Sequence, residues 1–164
     1  MKYGHFSKDN LEYIITSPTT PYPWINYLTN DRYCSIISQC AGGYSFYRDC
    51  RTNRVTRWAP ENYHMDRPGK YIFIRDGEKA WSATYQPICA KPSFYECHHG
   101  LGYTTISSKY YGISSEVTYF VPEEDDCEVW IASIKNTTKK TKKLEVFPYV
   151  EFLLGDYQEE LRYR

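Results

Sequence analysis

Short runs of β-forming residues recur along this 164-residue chain, and no segment shows a sustained helical period. Clusters of Gly, Pro, Asn or Asp separate most of these runs and mark turns. Many short strands without intervening helices are typical of an antiparallel sandwich. We therefore predict an all-β fold, an antiparallel β-sandwich, with strands near residues 13–16, 33–38, 43–48, 54–58, 70–75, 103–109, 113–121, 127–135 and 142–154.

The segment 39–49, QCAGGYSFYRD, joins a pair of glycines to an aromatic strand. Gly42 and Gly43 supply a backbone that adopts positive φ or lets another chain approach closely. Because side chains alternate along a strand, Tyr44 lies on one face and Tyr47 on the other. A strand with aromatic side chains on both faces is usually covered on both. The segment therefore predicts an internal strand that follows a tight glycine turn.

The composition of the chain changes near residue 23. The first 23 residues hold one short β run and then Pro18, Pro21 and Pro23, none of which can donate a ladder hydrogen bond. The whole chain has the length of one ordinary domain. We predict that residues 1–23 form an extended N-terminal arm and that residues 24–164 form the β-sandwich.

Charge and hydropathy argue against several classes of partner. Lysine plus arginine and aspartate plus glutamate number 20 each, so no net field attracts nucleic acid. The N-terminus lacks the apolar core of a signal peptide, and no run reaches the length of a membrane span. We expect a cytoplasmic protein with no nucleic-acid or membrane partner. Its six cysteines lack paired CxxC spacing and are expected to be reduced, mostly buried thiols.

The chain is rich in aromatic residues, with 18 tyrosines and four tryptophans. Rings with polar tips suit half-buried positions in a sheet, and they also suit the flat apolar faces of sugars. Packing within the sheets is the more general explanation. For carbohydrate binding, the candidate platform residues are Trp24, Tyr44 and Trp58.

Two groups of residues have the composition of reactive sites without the spacing. Cys97 and His99 share one face of a strand, but no second pair of ligands accompanies them, so we predict no metal site and a hydrogen-bonded histidine. Asp156, Glu159 and Glu160 lie near the C-terminus, where we expect surface charges. We assign no catalytic residue.

Several segments carry a specific resemblance, in order and over nearly the whole chain. They include PYPWINYL at 21–28, AGGYSFYRD at 41–49, DRPGKYIFIRD at 66–76 and YECHHGLGYTTIS at 95–107. These segments resemble the N-terminal region of glycoside hydrolase family 94, the cellobiose and chitobiose phosphorylase family, and look most like cellobiose phosphorylases. The resemblance implies a super-sandwich of the galactose-mutarotase-like type.

The layout of that family implies further domains. Its members resemble one another in having an N-terminal sandwich, a helical linker, a catalytic (α/α)6 barrel and a small C-terminal sheet, usually as homodimers. Their reaction is inverting phosphorolysis, in which an aspartic acid protonates the glycosidic oxygen and inorganic phosphate attacks the anomeric carbon. The resemblance thus implies no cofactor, phosphate as co-substrate, and a barrel, absent here, that holds the catalytic acid. The implied partners are the remaining phosphorylase domains, a second copy and a β-linked disaccharide.

Two departures from the family pattern stand out. The chain has His98-His99-Gly100 where relatives commonly read Arg-His-Gly, which weakens an ionic contact at the first position. Relatives also continue to a Tyr-Gln-Arg motif that reaches the acceptor sugar, whereas this chain reads GDYQEELRYR and ends. Tyr163 and Arg164 lie nearest that motif and are the candidate substrate-binding residues. The resemblance therefore predicts a truncated sandwich that is not catalytic alone.

Two other functions fit the sequence. A free-standing carbohydrate-binding module would use exposed aromatic rings as sugar platforms. A purely structural interaction domain would bind no sugar. Titration with cellobiose distinguishes the two.

Overall fold

The computed structural model describes residues 3–58 and 66–162, and within these residues it has 14 strands and one short helix. The elements are β1 (Gly4–Phe6), β2 (Glu12–Ile15), β3 (Ile25–Thr29), β4 (Tyr33–Ser38), β5 (Ser45–Tyr47), β6 (Arg54–Thr56), β7 (Tyr71–Asp76), β8 (Lys79–Ser82), β9 (Phe94–Gly100), β10 (Tyr103–Tyr110), β11 (Ile113–Phe120), β12 (Val129–Asn136), β13 (Leu144–Tyr149), β14 (Phe152–Gly155) and α1 (Tyr157–Arg162).

The strands form three antiparallel sheets. The largest has six strands in the order β1-β2-β9-β10-β11-β12, the second has five in the order β14-β6-β5-β4-β3, and the third has three in the order β13-β7-β8. Strands β10 and β11 pair over their full length, and their residues alternate between buried and more exposed positions. This alternation gives the six-stranded sheet one face that packs against the rest of the protein.

The core joins all three sheets. Its cluster of buried side chains includes Ile15 and Val117 from the six-stranded sheet, Ile37 from the five-stranded sheet, and Ile74 and Trp81 from the three-stranded sheet. Each of these five side chains is fully buried. The predicted antiparallel β-sandwich is confirmed.

The predicted internal strand is β5, which lies in the middle of the five-stranded sheet. Its first residue, Ser45, is fully buried, and Phe46 and Tyr47 are half-buried. Aromatic rings on both faces of β5 are therefore partly covered, as the alternation predicted.

The structure differs from the predicted elements at both ends of the chain. Within residues 1–23, β1 and β2 pair with each other and β2 pairs with β9, so this segment contributes two strands to the six-stranded sheet. The single strand predicted over 142–154 is two strands, β13 and β14, which lie in different sheets. The helix α1 was not predicted, because six residues are too few to show a helical period.

Two internal strands, β3 and β8, were also not predicted, and β9 was anticipated only as a strand end around Cys97 and His99. Strand β3 follows directly after a proline-rich segment, and β9, FYECHHG, has adjacent polar residues in place of a clear apolar alternation. The local β propensity of both segments is weak, so β3 forms because it pairs with β4, and β9 forms because it pairs with β10.

Candidate functional site

The turn between β4 and β5 is organised by one serine. The Ser38 hydroxyl accepts hydrogen bonds from the backbone N–H groups of Cys40, at 3.1 Å, and Gly42, at 3.0 Å. The same hydroxyl donates to the carboxyl group of Asp66. Gly42 also forms an isolated antiparallel bridge with Gly69, so the turn and the segment after residue 65 are held together.

Both glycines of the predicted turn are required by the structure. A Cβ on Gly42 would overlap the carboxyl group of Asp66, and a Cβ on Gly43 would overlap the backbone carbonyl of Ile36. Gly43 also has a φ of 116°, a value that side chains with a Cβ rarely adopt. The prediction of a positive-φ or closely approached glycine is confirmed at both positions.

Two of the three predicted platform residues, Tyr44 and Trp58, lie together. Their rings stack with centroids 5.9 Å apart and an interplanar angle of 25°. They line a pocket of about 220 Å³, which we call the aromatic pocket, together with Pro23, Ile25, Ile36, Gly43 and Asp66. The buried indole Nε1 of Trp58 has no hydrogen-bond partner among the described residues. The pocket thus combines an aromatic wall with one carboxyl group.

Asp66 is the acidic residue of this pocket. It is 5% exposed, and burial raises its pKa to about 6, although the hydrogen bond from Ser38 opposes the shift. Asp66 begins one of the segments that carry the family resemblance, but the sequence does not predict it as a site residue. Its role depends on a contact with Gly42, 24 positions earlier, which no local pattern reveals.

Arg54 contacts both residues of the stacked pair Tyr44 and Trp58, which we call the aromatic pair. Its guanidinium carbon lies 4.0 Å from the ring centroid of Tyr44 and 4.0 Å from that of Tyr157, so the cation is stacked between the two rings. Its Nη1 also donates to the backbone carbonyl of Trp58 at 3.2 Å. Arg54 is therefore a positioning residue that contacts both members of the aromatic pair and ties them to α1.

The structure does not bring Trp24 to this pocket. The Trp24 ring packs at 5.9 Å from Tyr3 and 5.8 Å from Tyr13, against the hydrophobic core. The other two candidates, Tyr163 and Arg164, lie outside the described residues.

The acidic residues near the C-terminus have mixed environments. Asp156 accepts a hydrogen bond from the backbone N–H of Gln158 at 2.6 Å and caps α1, and Glu159 is exposed. The side chain of Glu160 is only 9% exposed and forms an ion pair with Arg57. The expectation of a surface charge is therefore wrong for Glu160, because α1 folds back onto the end of β6.

The histidine pair near the end of β9 is fully engaged in hydrogen bonds. His99 interacts with the Thr104 hydroxyl at 2.9 Å and the Trp24 carbonyl at 3.0 Å, and His98 with Glu12 at 2.8 Å. The predicted hydrogen-bonded histidine is confirmed. At position 98, where the sequence predicted a weakened ionic contact, the histidine forms a hydrogen bond with Glu12. Across residues 3–58 and 66–162, no group of three or more His, Cys, Asp or Glu side chains is arranged to hold a metal ion.

All six cysteines are free thiols, and they divide evenly by burial. Cys34, Cys40 and Cys97 are buried, whereas the other three are exposed. The expectation of mostly buried cysteines is therefore wrong for half of them. In the described part of the chain, no helix is long and apolar enough to cross a membrane.

A second cleft, of about 600 Å³, lies between β12 and β6, with Tyr47, Trp130 and Phe152 among its lining residues. Its polar wall is the carboxylate of Glu128, which pairs with the fully buried Lys70 at 2.9 Å and accepts hydrogen bonds from Ser45 and Trp130. Burial alone would raise the pKa of Glu128, but Lys70 and Ser45 hold it below its usual value. These partners leave that carboxylate little capacity for a ligand.

The three antiparallel sheets, packed around one shared core, define an all-β sandwich domain. The chain belongs to the family described as "Glycosyl hydrolase 94, supersandwich domain", whose model matches residues 11–164. The family resemblance found in the sequence is confirmed.

The chain is similar to several disaccharide phosphorylases and to one synthase. It is 46% identical to N,N'-diacetylchitobiose phosphorylase of Vibrio furnissii over 93% of this chain and 19% of that protein. It is 37% identical to 3-O-beta-D-glucopyranosyl-beta-D-glucuronide phosphorylase of Paenibacillus borealis, over 88% of this chain and 18% of the relative. It is 30% identical to the cyclic beta-(1,2)-glucan synthase NdvB of Rhizobium meliloti, over 94% of this chain and 6% of that protein. The chain spans about one fifth or less of the length of these relatives.

Proposed function

We propose that this supersandwich domain supports the inverting phosphorolysis of a β-linked disaccharide and contributes a sugar-contacting wall through its aromatic pocket. In this proposal the catalytic acid and the phosphate site belong to other domains of a phosphorylase, and phosphate is a co-substrate of the complete enzyme. The observation that carries the proposal is the Tyr44–Trp58 pair beside the carboxyl group of Asp66.

The chemistry of the pocket matches that of a pyranose ring. The C–H groups on one face of such a ring pack against an aromatic wall, while its hydroxyl groups need acceptors and donors at the rim. Tyr44 and Trp58 supply the wall, and Asp66 supplies an acceptor. Among the described residues, no lysine or arginine lines this pocket, which argues against phosphate as its ligand.

The names of the relatives indicate a class of substrate, β-linked disaccharides, and not one particular sugar. Their names include phosphorylases for N,N'-diacetylchitobiose and for a glucopyranosyl-glucuronide. The cellobiose-type substrate is the expectation that the sequence resemblance implies. We propose a cellobiose-type substrate and a cytoplasmic enzyme. A panel of β-linked disaccharides tests the choice, with the tightest ligand identifying the sugar.

We also propose that the domain acts with the remaining phosphorylase domains and in a homo-oligomer. Strands β13 and β14 carry exposed apolar residues, among them Phe147 at 47%, Phe152 at 59% and Leu154 at 72% exposure. Exposed apolar residues at this density favour association with another surface. Light scattering that shows only monomers across the micromolar range would contradict the homo-oligomer in this chain.

The test of the pocket is calorimetric titration of the chain with cellobiose and N,N'-diacetylchitobiose. We expect millimolar or tighter binding of at least one disaccharide, and a loss of at least tenfold in affinity in Tyr44→Ala and Trp58→Ala. Tyr27→Ala is the matched control, because Tyr27 is 60% exposed and does not line the pocket. Absence of binding to every sugar would remove the pocket from the proposal and favour a structural interaction domain.

A further inference from the structure

Asp66 lies between two pockets. One side of it faces the aromatic pocket, and the other faces a second pocket of about 220 Å³ that we call the polar pocket. Its lining includes Thr19, Thr20, Asp66, Tyr85, Gln86 and Cys89. Pro23 and Asp66 line both pockets, so the two cavities are adjacent. Together they reach the lower part of the roughly 300–1,000 Å³ range of small-molecule sites.

The carboxyl group between the pockets has spare hydrogen-bonding capacity. A carboxylate has about four acceptor positions. Within residues 3–58 and 66–162, Ser38 is the one side chain or backbone donor that reaches it. Asp66 is nevertheless 95% buried, and a buried acceptor without enough donors is costly. Donors from a bound ligand would remove this cost from either pocket.

The surroundings favour neutral hydroxyl donors over a cation. Arg54 already occupies one face of Tyr44 at 4.0 Å, and its charge opposes a cationic ligand on the aromatic wall. The polar pocket adds neutral amide and hydroxyl groups from Thr19, Thr20 and Gln86. A polyol whose rings lie one on each side of the carboxyl group fits this arrangement.

The backbone around the polar pocket also has an unusual conformation. Asp66, Tyr85 and Cys89 all have positive φ, at 54°, 80° and 57°. Such conformations are uncommon for residues with a Cβ and concentrate at functional sites. They turn the segments around residues 66 and 85–89 toward the same cavity.

We propose that the polar pocket is a second carbohydrate subsite, and that one disaccharide occupies both pockets with its two rings sharing Asp66 as hydrogen-bond acceptor. One ring stacks on the wall formed by Tyr44 and Trp58, and the hydroxyl groups of the other ring meet the polar lining. This inference rests on the proposed function of the aromatic pocket and adds to it the length of the ligand.

The test compares matched sugars. The dissociation constants of cellobiose and glucose are measured by calorimetry for the 164-residue chain, and the pair N,N'-diacetylchitobiose and N-acetylglucosamine is measured in the same way. We expect the disaccharide of one pair to bind at least tenfold more tightly than its monosaccharide. Asp66→Asn is expected to weaken the disaccharide at least tenfold, with its folding checked by circular dichroism.

Thr19→Trp tests the polar pocket itself. The indole fills the pocket from its exposed rim, so the ratio of monosaccharide to disaccharide dissociation constants should fall to about one. Thr141→Trp, at an exposed position away from both pockets, should leave the ratio unchanged. Equal binding of mono- and disaccharide to the unmodified chain would overturn the second subsite and leave the aromatic pocket intact. Binding of neither sugar would instead contradict the proposed function.

Discussion

Gly42 has no room for a side chain, because the carboxyl group of Asp66 occupies the position that its Cβ would take. The first glycine of the AGGYSFYRD segment is thus matched to an acid 24 residues later. Ser38 connects them, since its hydroxyl accepts from the N–H of Gly42 at 3.0 Å and donates to Asp66. The glycine pair and the aromatic strand after it together place Tyr44 and Asp66 around one pocket.

Gly42→Ala should displace Asp66 and weaken both the fold and the pocket. We expect a loss of roughly 1–3 kcal/mol in the free energy of unfolding, as overpacking of a buried site typically costs. Gly155→Ala is the matched control, because nothing lies within 4 Å of the Cβ it would add. Urea denaturation of the two variants measures the difference. Equal stability of both variants would show that Asp66 moves aside at no cost.

The raised pKa of Asp66 makes the stability of the protein depend on pH. The carboxyl group has an ordinary pKa of 3.8, and burial raises it to about 6 in the folded protein. Between these values the folded state binds more protons than the unfolded state, so stability falls as pH rises from about 4 to about 6. The full effect of such a difference is about 3 kcal/mol.

Asp66→Asn removes this titration. We expect its free energy of unfolding to change less than that of the unmodified chain between pH 4 and pH 6, with the two curves separating as pH rises. Urea denaturation at a series of pH values measures both curves. Parallel curves would show that Asp66 titrates in the folded protein as it does in the unfolded chain.

Alternation and turn residues were enough to predict the central parts of the fold. Strand β4 was predicted with the bounds it has, and the internal position of β5 followed from its two aromatic faces. Alternation identifies a buried face but does not say which sheet covers it. For this reason Trp24, Tyr44 and Trp58 looked equivalent in the sequence, although only the last two meet.

The acid of the candidate site could not be predicted for a related reason. The burial of Asp66 comes from the bridge between Gly42 and Gly69, a long-range contact between two loops. The sequence around Asp66 shows only a turn, since DRPG combines residues that are common in turns. Arg54 is similar, because its role depends on Tyr44 and Tyr157 approaching it from opposite sides.

Removing only one partner of the buried ion pair between Lys70 and Glu128 should greatly lower the stability of the protein. Lys70→Met leaves the carboxylate of Glu128 buried without its cation, and we expect a loss of roughly 3–5 kcal/mol in stability. The double variant with Glu128→Leu should lose less than Lys70→Met alone, since no buried charge remains. The exposed pair of Arg75 and Glu145 is the control, and Arg75→Met should cost less than about 1 kcal/mol. A double variant less stable than Lys70→Met would contradict this account.

Arg54→Met should loosen the aromatic pair. The substitution keeps a long apolar side chain but removes the cation between Tyr44 and Tyr157, and we expect a loss of roughly 1–3 kcal/mol in stability. The near-ultraviolet circular dichroism of the stacked rings should weaken as well, a change that a loss of stability alone does not produce in the folded protein. Arg48→Met is the control, because Arg48 is exposed and lies 5.0 Å from a single ring, that of Tyr47. Unchanged dichroism in Arg54→Met would show that the pair is held without the cation.

The last prediction is that this chain alone does not phosphorolyse cellobiose. The reaction requires an acid on the leaving oxygen and a cationic site for phosphate, both held where water is excluded. Asp66 has the raised pKa of a general acid, but neither of the pockets that it lines has a lysine or arginine among residues 3–58 and 66–162. Near the C-terminus, Glu160 is engaged by Arg57, and Asp156 caps α1.

Incubation of the chain with cellobiose and phosphate, followed by measurement of glucose 1-phosphate, tests this. We expect no product above the background without protein, and product only when a family 94 catalytic domain is added. Asp66→Asn, Asp156→Asn and Glu159→Gln are assayed in parallel with the unmodified chain. Turnover by the chain alone that one of these substitutions abolishes would falsify the prediction and place a catalytic acid at that residue.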